Sequence, residues 1–202
     1  MAFYSKYILP RLIDLAMKNP VTTECRSHIV PRAAGSVLDV GFGSGLNLPF
    51  YGPRVTKLWG IDPCSELLAI ARPKLKNVPF PVELLTFSAE EIPLPAGSID
   101  NIVLTWTLCT IPNPIQALRE MRRVLRADGK VIFAEHGLSP DHGVQVWQHR
   151  LNPIWGRIAG GCNMNRKIDD LLSAGGFKTA ELSASYLPGP RILTYTFQGL
   201  AV

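Results

Sequence analysis

Cys-x-x-Cys pairs are absent from this 202-residue chain, whose four cysteines lie far apart. Their spacing argues against a zinc site and against a disulfide framework, and it is typical of a reducing compartment. Charged residues interrupt the apolar N-terminus, and no uncharged apolar run reaches the length of about 18 residues that a spanning helix needs. We therefore expect no metal and no transmembrane segment, and we predict a cytoplasmic protein.

A track of basic residues interleaved with aromatic residues, as in nucleic-acid-binding grooves, is also absent. The densest arginines, over 119–126, lie at helical spacing among apolar residues, as on a solvated helix face. We expect no nucleic-acid partner, and a nucleic-acid-binding protein on the same fold is kept as the non-enzymatic alternative. The net charge of +5 leaves anionic small molecules and peripheral contact with a membrane surface open.

Segments with strand and helix patterns alternate along the chain, and 47% of the residues are hydrophobic. The predicted strands cover 36–40, 55–62, 82–87, 98–108 and 130–137, followed by two closing strands over 177–184 and 191–202. Helices are predicted over 3–18, 21–30, 63–75 with Ser65 as a cap, 113–129 with Gly129 as its stop, 141–158 and 165–174. The alternation indicates an α/β fold with a doubly wound, mostly parallel sheet, whose ligands bind where the strands end.

The stretch D-x-G-x-G-x-G, from Asp39 to Gly45, follows the first predicted strand. Gly41, Gly43 and Gly45 allow a sharp turn and bring backbone N–H groups close to a ligand. The stretch is not a dinucleotide fingerprint, because Leu46 stands where the third glycine would be, and no Gly-Lys-Ser/Thr follows as in a P-loop. The carboxylate of Asp39 would repel a phosphate and suits an amine-bearing ligand.

A second acid, Asp62, ends the next predicted strand, 17 residues after Gly45. A carboxylate at that place accepts hydrogen bonds from both hydroxyls of a ribose. Taken singly, the glycines are explained by a tight turn, and Asp62 by a favourable place at a helix N-terminus. Taken together at two strand ends, they indicate a ligand with one nucleoside, one ammonium group and no phosphate, which describes S-adenosylmethionine.

Four motifs over 36–137 together resemble the class I, Rossmann-like, S-adenosylmethionine-dependent methyltransferases. They are "VLDVGFGSG", "GIDPCSELL", "FSAEEIPLPAGSID" and "ALREMRRVLRADGKVIFAEHG". The resemblance implies a seven-stranded sheet with an antiparallel last strand, for which "RILTYTFQG" is the candidate. It also implies S-adenosylmethionine as the cofactor and S-adenosylhomocysteine as its product.

The resemblance assigns the glycine turn to the methionine part of the cofactor, Asp62 to its ribose, and the loop with Ala89 and Glu90 to its adenine. Many relatives carry Asp where Ser88 stands, so we expect either a weaker hydrogen bond from the adenine amino group to Ser88 Oγ or hydrogen bonds to backbone groups. Asn47 is expected either to bond across the methionine end or to begin the next turn. The predicted cofactor-binding residues are Asp39, Gly41, Gly43, Gly45, Asn47, Asp62, Pro63, Ser88, Ala89, Glu90 and Thr105.

The segment 147–177, with its Trp-Gln, Asn-Pro-x-Trp and Gly-Cys-Asn patterns, is similar to the alkyl-thiol methyltransferases of the methyltransferase-like group. A small thiol is therefore the favoured acceptor; the alternatives are N-, O- or C-methylation of an amine, a phospholipid headgroup or a quinone-type ring. His136 is the candidate base, with a loop-orienting role as the alternative.

We expect one methyltransferase domain over residues 1–202. Within it, residues 1–31 are predicted to form a helical lid and 36–137 the cofactor-binding core. Residues 138–202 would supply the acceptor-side helices and the closing strands. The sequence indicates no oligomeric state.

Overall fold

A computed structural model describes residues 4–202, apart from the side chains of residues 5 and 6, and its centre is a seven-stranded sheet. The strands are β1 Gly35–Val40, β2 Val55–Ile61, β3 Val82–Leu85, β4 Ile99–Thr105, β5 Leu125–His136, β6 Thr179–Tyr186 and β7 Tyr195–Ala201. Their order across the sheet is β3-β2-β1-β4-β5-β7-β6, and β7 alone runs antiparallel to its neighbours. The predicted fold class, with its antiparallel last strand, is confirmed.

Helices connect the strands and cover the sheet. After a π-helical turn at Tyr4–Ile8 they are α1 Leu9–Ala16, α2 Pro20–Ile29, α3 Ser65–Ala71, α4 Pro114–Val124, α5 His142–Ile158, α6 Ile168–Ala174 and α7 Arg191–Thr194. Within residues 4–202, no helix combines the length and the apolarity that crossing a membrane requires.

The fourth predicted helix is shorter than its pattern indicates, because α4 ends at Val124 and not at Gly129. The backbone N–H of Ser98 donates to the Val124 carbonyl at 2.9 Å, which satisfies a group left open at the helix end. From Leu125 the chain is extended and pairs with β4. Register with the sheet therefore outweighs the helical pattern of 125–128, and the prediction that Gly129 stops the helix is wrong.

Two smaller predictions also need correction. Ser65 does not cap α3: the residue before the helix is Cys64, whose N–H donates to Asp62 Oδ1 at 2.8 Å. The final strand begins at Tyr195, because Arg191–Thr194 forms a helical turn after Pro190. The Asp62 side chain fixes the start of α3, and Pro190 precedes the turn before β7. A pattern of hydrophobic residues does not reveal such local effects.

Side chains alternate between the two faces of the sheet, and each face carries its own apolar cluster. Leu38 and Phe133 belong to one cluster, and their neighbours Val37 and Ile132 to the other. Since β2 continues the sheet on one side of β1 and β4 on the other, the strand order reverses at β1. Ligands of open α/β sheets bind at this reversal, beyond the carboxyl ends of the strands.

One face of α5 is apolar and exposed. Its side chains recur at the three- and four-residue spacing of a helix face and are between 39% and 61% exposed: Trp147, Leu151, Ile154 and Ile158. The C-terminal end of this stripe lies near the start of the described chain, where the Tyr4 hydroxyl donates to the Ile158 carbonyl at 2.8 Å. Peripheral contact with a membrane surface stays a prediction.

Candidate functional site

A cavity of about 410 Å³ opens at the carboxyl ends of β1, β2 and β4, and α1 forms one of its walls. Eight of the eleven predicted cofactor-binding residues line it: Gly41, Gly43, Asn47, Asp62, Pro63, Ser88, Ala89 and Thr105. Asp39, Gly45 and Glu90 lie behind these residues, and the candidate base His136 is not part of the lining. The fold thus gathers most of the predicted cofactor residues around one space.

The glycine turn after β1 needs glycine for two different reasons. Gly41 has a φ of +72°, and a Cβ there would lie 2.1 Å from Thr107 Oγ1, so the turn packs directly against the loop after β4. Gly43 has a φ of +56°, but its Cβ would meet only the Gly41 carbonyl, at 3.7 Å. Because Gly43 lines the cavity, the space beside its backbone is open to a ligand.

Asp62 connects the glycine turn to the start of α3. Its Oδ2 accepts the backbone N–H of Gly43 at 2.9 Å, and its Oδ1 accepts that of Cys64 at 2.8 Å. Burial raises the pKa of Asp62, and these two backbone donors oppose the shift. A carboxylate has about four acceptor positions, so each oxygen keeps a free lone pair for a ligand hydroxyl.

Asp39 is fully buried, and Asn47, its hydrogen-bond partner, lines the cavity. The Asn47 amide donates to Asp39 Oδ1 and Oδ2 at 3.1 and 3.0 Å, and it lies 3.0 Å from Thr105 Oγ1. Burial raises the pKa of Asp39 to about 7, against the opposing effect of the Asn47 hydrogen bond. Asn47 and Thr105 line the cavity, so the charge of Asp39 acts on it through this pair.

Ser88 is paired with Glu90. The Ser88 hydroxyl donates to Glu90 Oε2 at 2.8 Å, while Glu90 Oε1 accepts the backbone N–H of Asn113 at 2.7 Å. Ser88 and Ala89 line the cavity and Glu90 does not. The Glu90 carboxylate therefore contacts Ser88 from outside the cavity lining. Ser88 thus offers a hydroxyl to the cavity, and the acid bonded to it lies two residues later in the chain.

Arg26 and Trp106 also line the cavity, and sequence reasoning missed Arg26. Arg26 is 4% exposed, its guanidinium lies 4.9 Å from the centre of the Trp106 ring, and its Nε has no hydrogen-bond partner among the described residues. Burial lowers the pKa of Arg26, and the charge of Asp39 opposes the shift. Trp106 adopts a φ of 53°, an unusual conformation outside glycine that often marks functional sites. No motif marks Arg26, since α2 precedes the glycine turn.

Asp14 of α1 is a further acid of the cavity wall. Its Oδ2 accepts from Lys18 Nζ at 2.5 Å, and its Oδ1 is buried with no hydrogen-bond partner in the described structure. Burial acts to raise the pKa of Asp14, but hydrogen bonds and charge from neighbours including Lys18 lower it overall. In an amphipathic helix such as α1 an acidic residue is expected to face solvent. The sequence alone therefore did not indicate that Asp14 lines a cavity.

His136 lies at the end of β5 and faces a cysteine instead of the cavity. Its Nε2 is 3.1 Å from Cys162 Sγ, which lies 3.7 Å from Cys109 Sγ. Hydrogen bonding with Cys109 and then His136 lowers the pKa of Cys162, and burial of the charged form opposes the shift. The assignment of His136 as a base stays a prediction, and its ring orients a loop cysteine in this structure.

A methyltransferase domain family matches residues 38–133, the span from β1 through most of β5. Thiol S-methyltransferase TMT1A of Homo sapiens is 30% identical over 161 residues, which cover 78% of this chain and 66% of that protein. The chain belongs to the class I S-adenosylmethionine-dependent methyltransferases. The predicted family is therefore confirmed.

A phosphatidylethanolamine N-methyltransferase of Cereibacter sphaeroides is 38% identical over 112 residues, or 54% of each chain. The chain thus spans about half to two thirds of the length of these curated relatives. A solved SAM-dependent methyltransferase of Aquifex aeolicus shares the fold, with a TM-score of 0.65 and 19% identity over 95% of this chain and 97% of its own. The chain is therefore similar in sequence to methyltransferases named for different acceptors.

The cavity residues fit the methyl donor of this family. Its ribose suits the free lone pairs of Asp62, and its amino-acid carboxylate suits the unpartnered Nε of Arg26. The space beside Gly43 admits a ligand close to the backbone. These features come from three separate parts of the chain, and each is independent of the family match.

Proposed function

We propose that this protein transfers a methyl group from S-adenosylmethionine to the sulfur of a small thiol. The observation that carries the proposal is the cavity at the sheet reversal, with Asp62 and Arg26 positioned for the two polar ends of that donor. The preference for a thiol is supported by the likeness to the human thiol S-methyltransferase over 78% of this chain.

In this proposal Asp62 holds the ribose hydroxyls, while Gly43 leaves room for the ligand beside the turn. Arg26 pairs with the amino-acid carboxylate, and Asn47 transmits the charge of Asp39 to the ammonium group. Pro63 and Ala89 contribute the apolar walls on either side of the adenine. When bound, S-adenosylmethionine supplies a methyl group on a positively charged sulfur, which is already an activated leaving group.

The protein would then align the acceptor and exclude water. Trp106, Ile111 and Pro112 give the cavity an apolar lining. Of the predicted lid over 1–31, residues 4–31 lie in the described structure, and they would cover the cavity through Ile13 and Met17, which also line it. A thiol as acidic as cysteine, with a pKa near 8.5, ionises in part at neutral pH and needs no strong base, whereas a simple alkanethiol is less acidic and a smaller fraction of it is ionised. In the transfer, the bond between the methyl carbon and the donor sulfur would break as the thiolate sulfur takes the methyl group, S-adenosylhomocysteine would leave, and the thiol proton would pass to solvent.

Turnover of matched acceptors tests the assignment. Hexanethiol, hexylamine and hexanol share one carbon skeleton, and phosphatidylethanolamine vesicles represent the lipid alternative suggested by the bacterial relative. We expect release of S-adenosylhomocysteine with hexanethiol at least about tenfold faster than with the other three acceptors, and none with Asp62→Ala. Turnover of the lipid amine with an inert thiol would replace this proposal by N-methylation.

The pH dependence of the same reaction distinguishes an acceptor thiol that ionises by itself from one that His136 deprotonates. Because His136 faces Cys162, we expect the midpoint of the rate to follow the pKa of each acceptor thiol when acidic and ordinary thiols are compared. A midpoint that stays constant across the series, and that shifts only in His136→Asn, would instead assign the deprotonation to His136. The measurement is kcat/KM from pH 6 to 10.

A further inference from the structure

Cys109, His136 and Cys162 come from three distant parts of the chain and meet in the interior. Their potential ligand atoms all lie within 4.8 Å of one another. Cys109 follows β4, His136 ends β5, and Cys162 follows α5. All four cysteines of the chain are free thiols, so no disulfide accounts for the approach of Cys109 to Cys162.

We propose that Cys109, His136 and Cys162 bind a thiophilic divalent cation such as Zn²⁺. Two thiolates and one imidazole form a donor set that zinc prefers, with bonds of about 2.3 Å to sulfur and about 2.0 Å to nitrogen. Two sulfurs on one tetrahedral zinc ion are then about 3.8 Å apart. The Cys109 and Cys162 sulfurs are separated by 3.7 Å, so the pair already has the spacing that a shared ion requires.

The cluster is held by contacts that do not involve its own side chains. Gly160 and Gly161, with φ of +64° and +88°, make the turn that carries Cys162. The Asn163 backbone N–H and side-chain amide both donate to the Cys109 carbonyl, at 2.9 and 3.1 Å. These bonds fix the distance between the two cysteine loops before any ion binds.

Asn152 of α5 holds the loop that carries Cys162 through two hydrogen bonds. Its amide donates to Asn163 Oδ1 at 3.1 Å, and its Oδ1 accepts the Met164 N–H at 2.9 Å. On the other loop, the Arg166 guanidinium donates to the carbonyls of Leu108 and Ile111, on either side of Cys109. A site built on such supported loops needs little rearrangement to take up a ligand.

Charge balance favours occupancy by a cation. Cys109 and His136 are 1% and 5% exposed, so an ionised thiolate at this cluster would be out of contact with water. A divalent cation with two thiolates is electrically neutral, which suits a buried place. Binding would release the thiol protons to solvent, and the three protein ligands would leave a fourth position for water.

The inference does not rest on the proposed methyl acceptor. The cluster is separate from the lining of the donor cavity, although the neighbouring Thr107, Thr110 and Gly160 belong to that lining. A bound ion would tie the ends of β4, β5 and α5 together beside the cavity. The prediction that no metal binds relied on the spacing of the cysteines along the sequence. That spacing cannot reveal ligands that are distant in the sequence and close in the fold.

Metal analysis of the full chain tests the proposal. Purified under reducing conditions after growth with zinc, the wild type should hold close to one Zn²⁺ per chain. Titration with Co²⁺ should give the intense near-ultraviolet thiolate bands and the visible bands of a tetrahedral ion. Cys162→Ser should weaken Co²⁺ binding at least about hundredfold, since even outer-sphere changes cost 10–100-fold. His136→Asn should lower the affinity while keeping the thiolate bands.

Cys25→Ser is the matched control, because Cys25 is also a buried free thiol but lies outside the cluster. It should keep both the zinc content and the cobalt spectrum. Circular dichroism of each variant verifies that it is folded, and the wild-type titration alone already tests the site. A wild type that takes up no Co²⁺ above background, a Cys109–Cys162 disulfide in the freshly purified protein, or thiolate bands unchanged in Cys162→Ser would each overturn the proposal.

Discussion

On the cofactor side of β4, the polar groups come mainly from two short stretches, 39–47 and 62–64, that are joined by the hydrogen bond from the Gly43 N–H to the Asp62 carboxylate. On the other side, Cys109, His136 and Cys162 are placed by three separate elements and by the Asn152–Asn163 pair. The first side is therefore specified locally, whereas the second exists only once the sheet and α5 are in place. Substitutions on the first side should act on ligand binding, and those on the second on the mutual position of whole elements.

The strongest test of the cofactor side is Asp62→Ala. The change removes the acceptor for two ligand hydroxyls and releases the N–H groups of Gly43 and Cys64. With about 1.5–3 kcal/mol for each hydrogen bond to a charged group, affinity for S-adenosylmethionine should fall at least about hundredfold. Calorimetric titration measures the loss, and Glu83→Ala on the exposed surface of β3 should bind as the wild type does. Equal affinities of Asp62→Ala and wild type would refute the assignment.

The glycine turn offers a pair of substitutions that separates folding from binding. Gly41→Ala places a methyl group 2.1 Å from Thr107 Oγ1 at positive φ, and it should lower the free energy of unfolding by about 2–4 kcal/mol. Gly43→Ala meets no side chain, so it should cost only about 1 kcal/mol of stability. Because its methyl group enters the cavity, Gly43→Ala should weaken cofactor binding by about tenfold. Urea unfolding and calorimetry distinguish the two variants, and equal stabilities would contradict the packing argument.

The buried acid of the cofactor side predicts a smaller, pH-dependent effect. Burial raises the pKa of Asp39 from 3.8 to about 7, so the folded protein binds more protons than the unfolded chain within that window. Its contribution to the free energy of unfolding should fall by up to about 1.4 kcal/mol per pH unit from pH 4 to 7 and level off above.

Asp39→Asn should remove this slope from denaturant curves of the ligand-free protein. The exposed carboxylate of Asp128 provides the control, because Asp128→Asn should leave the slope unchanged. An unaltered slope in Asp39→Asn would show that Asp39 does not titrate within this window.

The residues predicted for the cofactor side could be proposed from the sequence because they fall in short motifs of neighbouring residues. Positive φ at Gly41 and Gly43 excludes most other residue types, and Asp62 directly follows β2, whose apolar pattern is clear. The direction in which the Asp39 side chain points was harder to predict. Asp39 faces Asn47 instead of the ligand space, because the strand directs its side chain into the interior.

The residues that sequence reasoning missed lack a local signal. Arg26 lies in α2, ahead of β1 and the glycine turn, and its place at the cavity depends on how α2 packs beside Trp106. Cys109 and Cys162 are separated by more than fifty residues, so their proximity follows from the loops after β4 and α5. Long-range packing of this kind is specified by the whole core, and no short window of sequence contains it.

The place of β7 also affects how the protein is made. It lies between β5 and β6 although it follows both in the chain, and the described register pairs β6 with β7 alone. During synthesis β6 therefore emerges with no strand to join, and β5 remains an open sheet edge until β7 arrives. Such an edge can pair with other chains, so the nascent protein passes through a stage that is sensitive to aggregation and favours protection by chaperones.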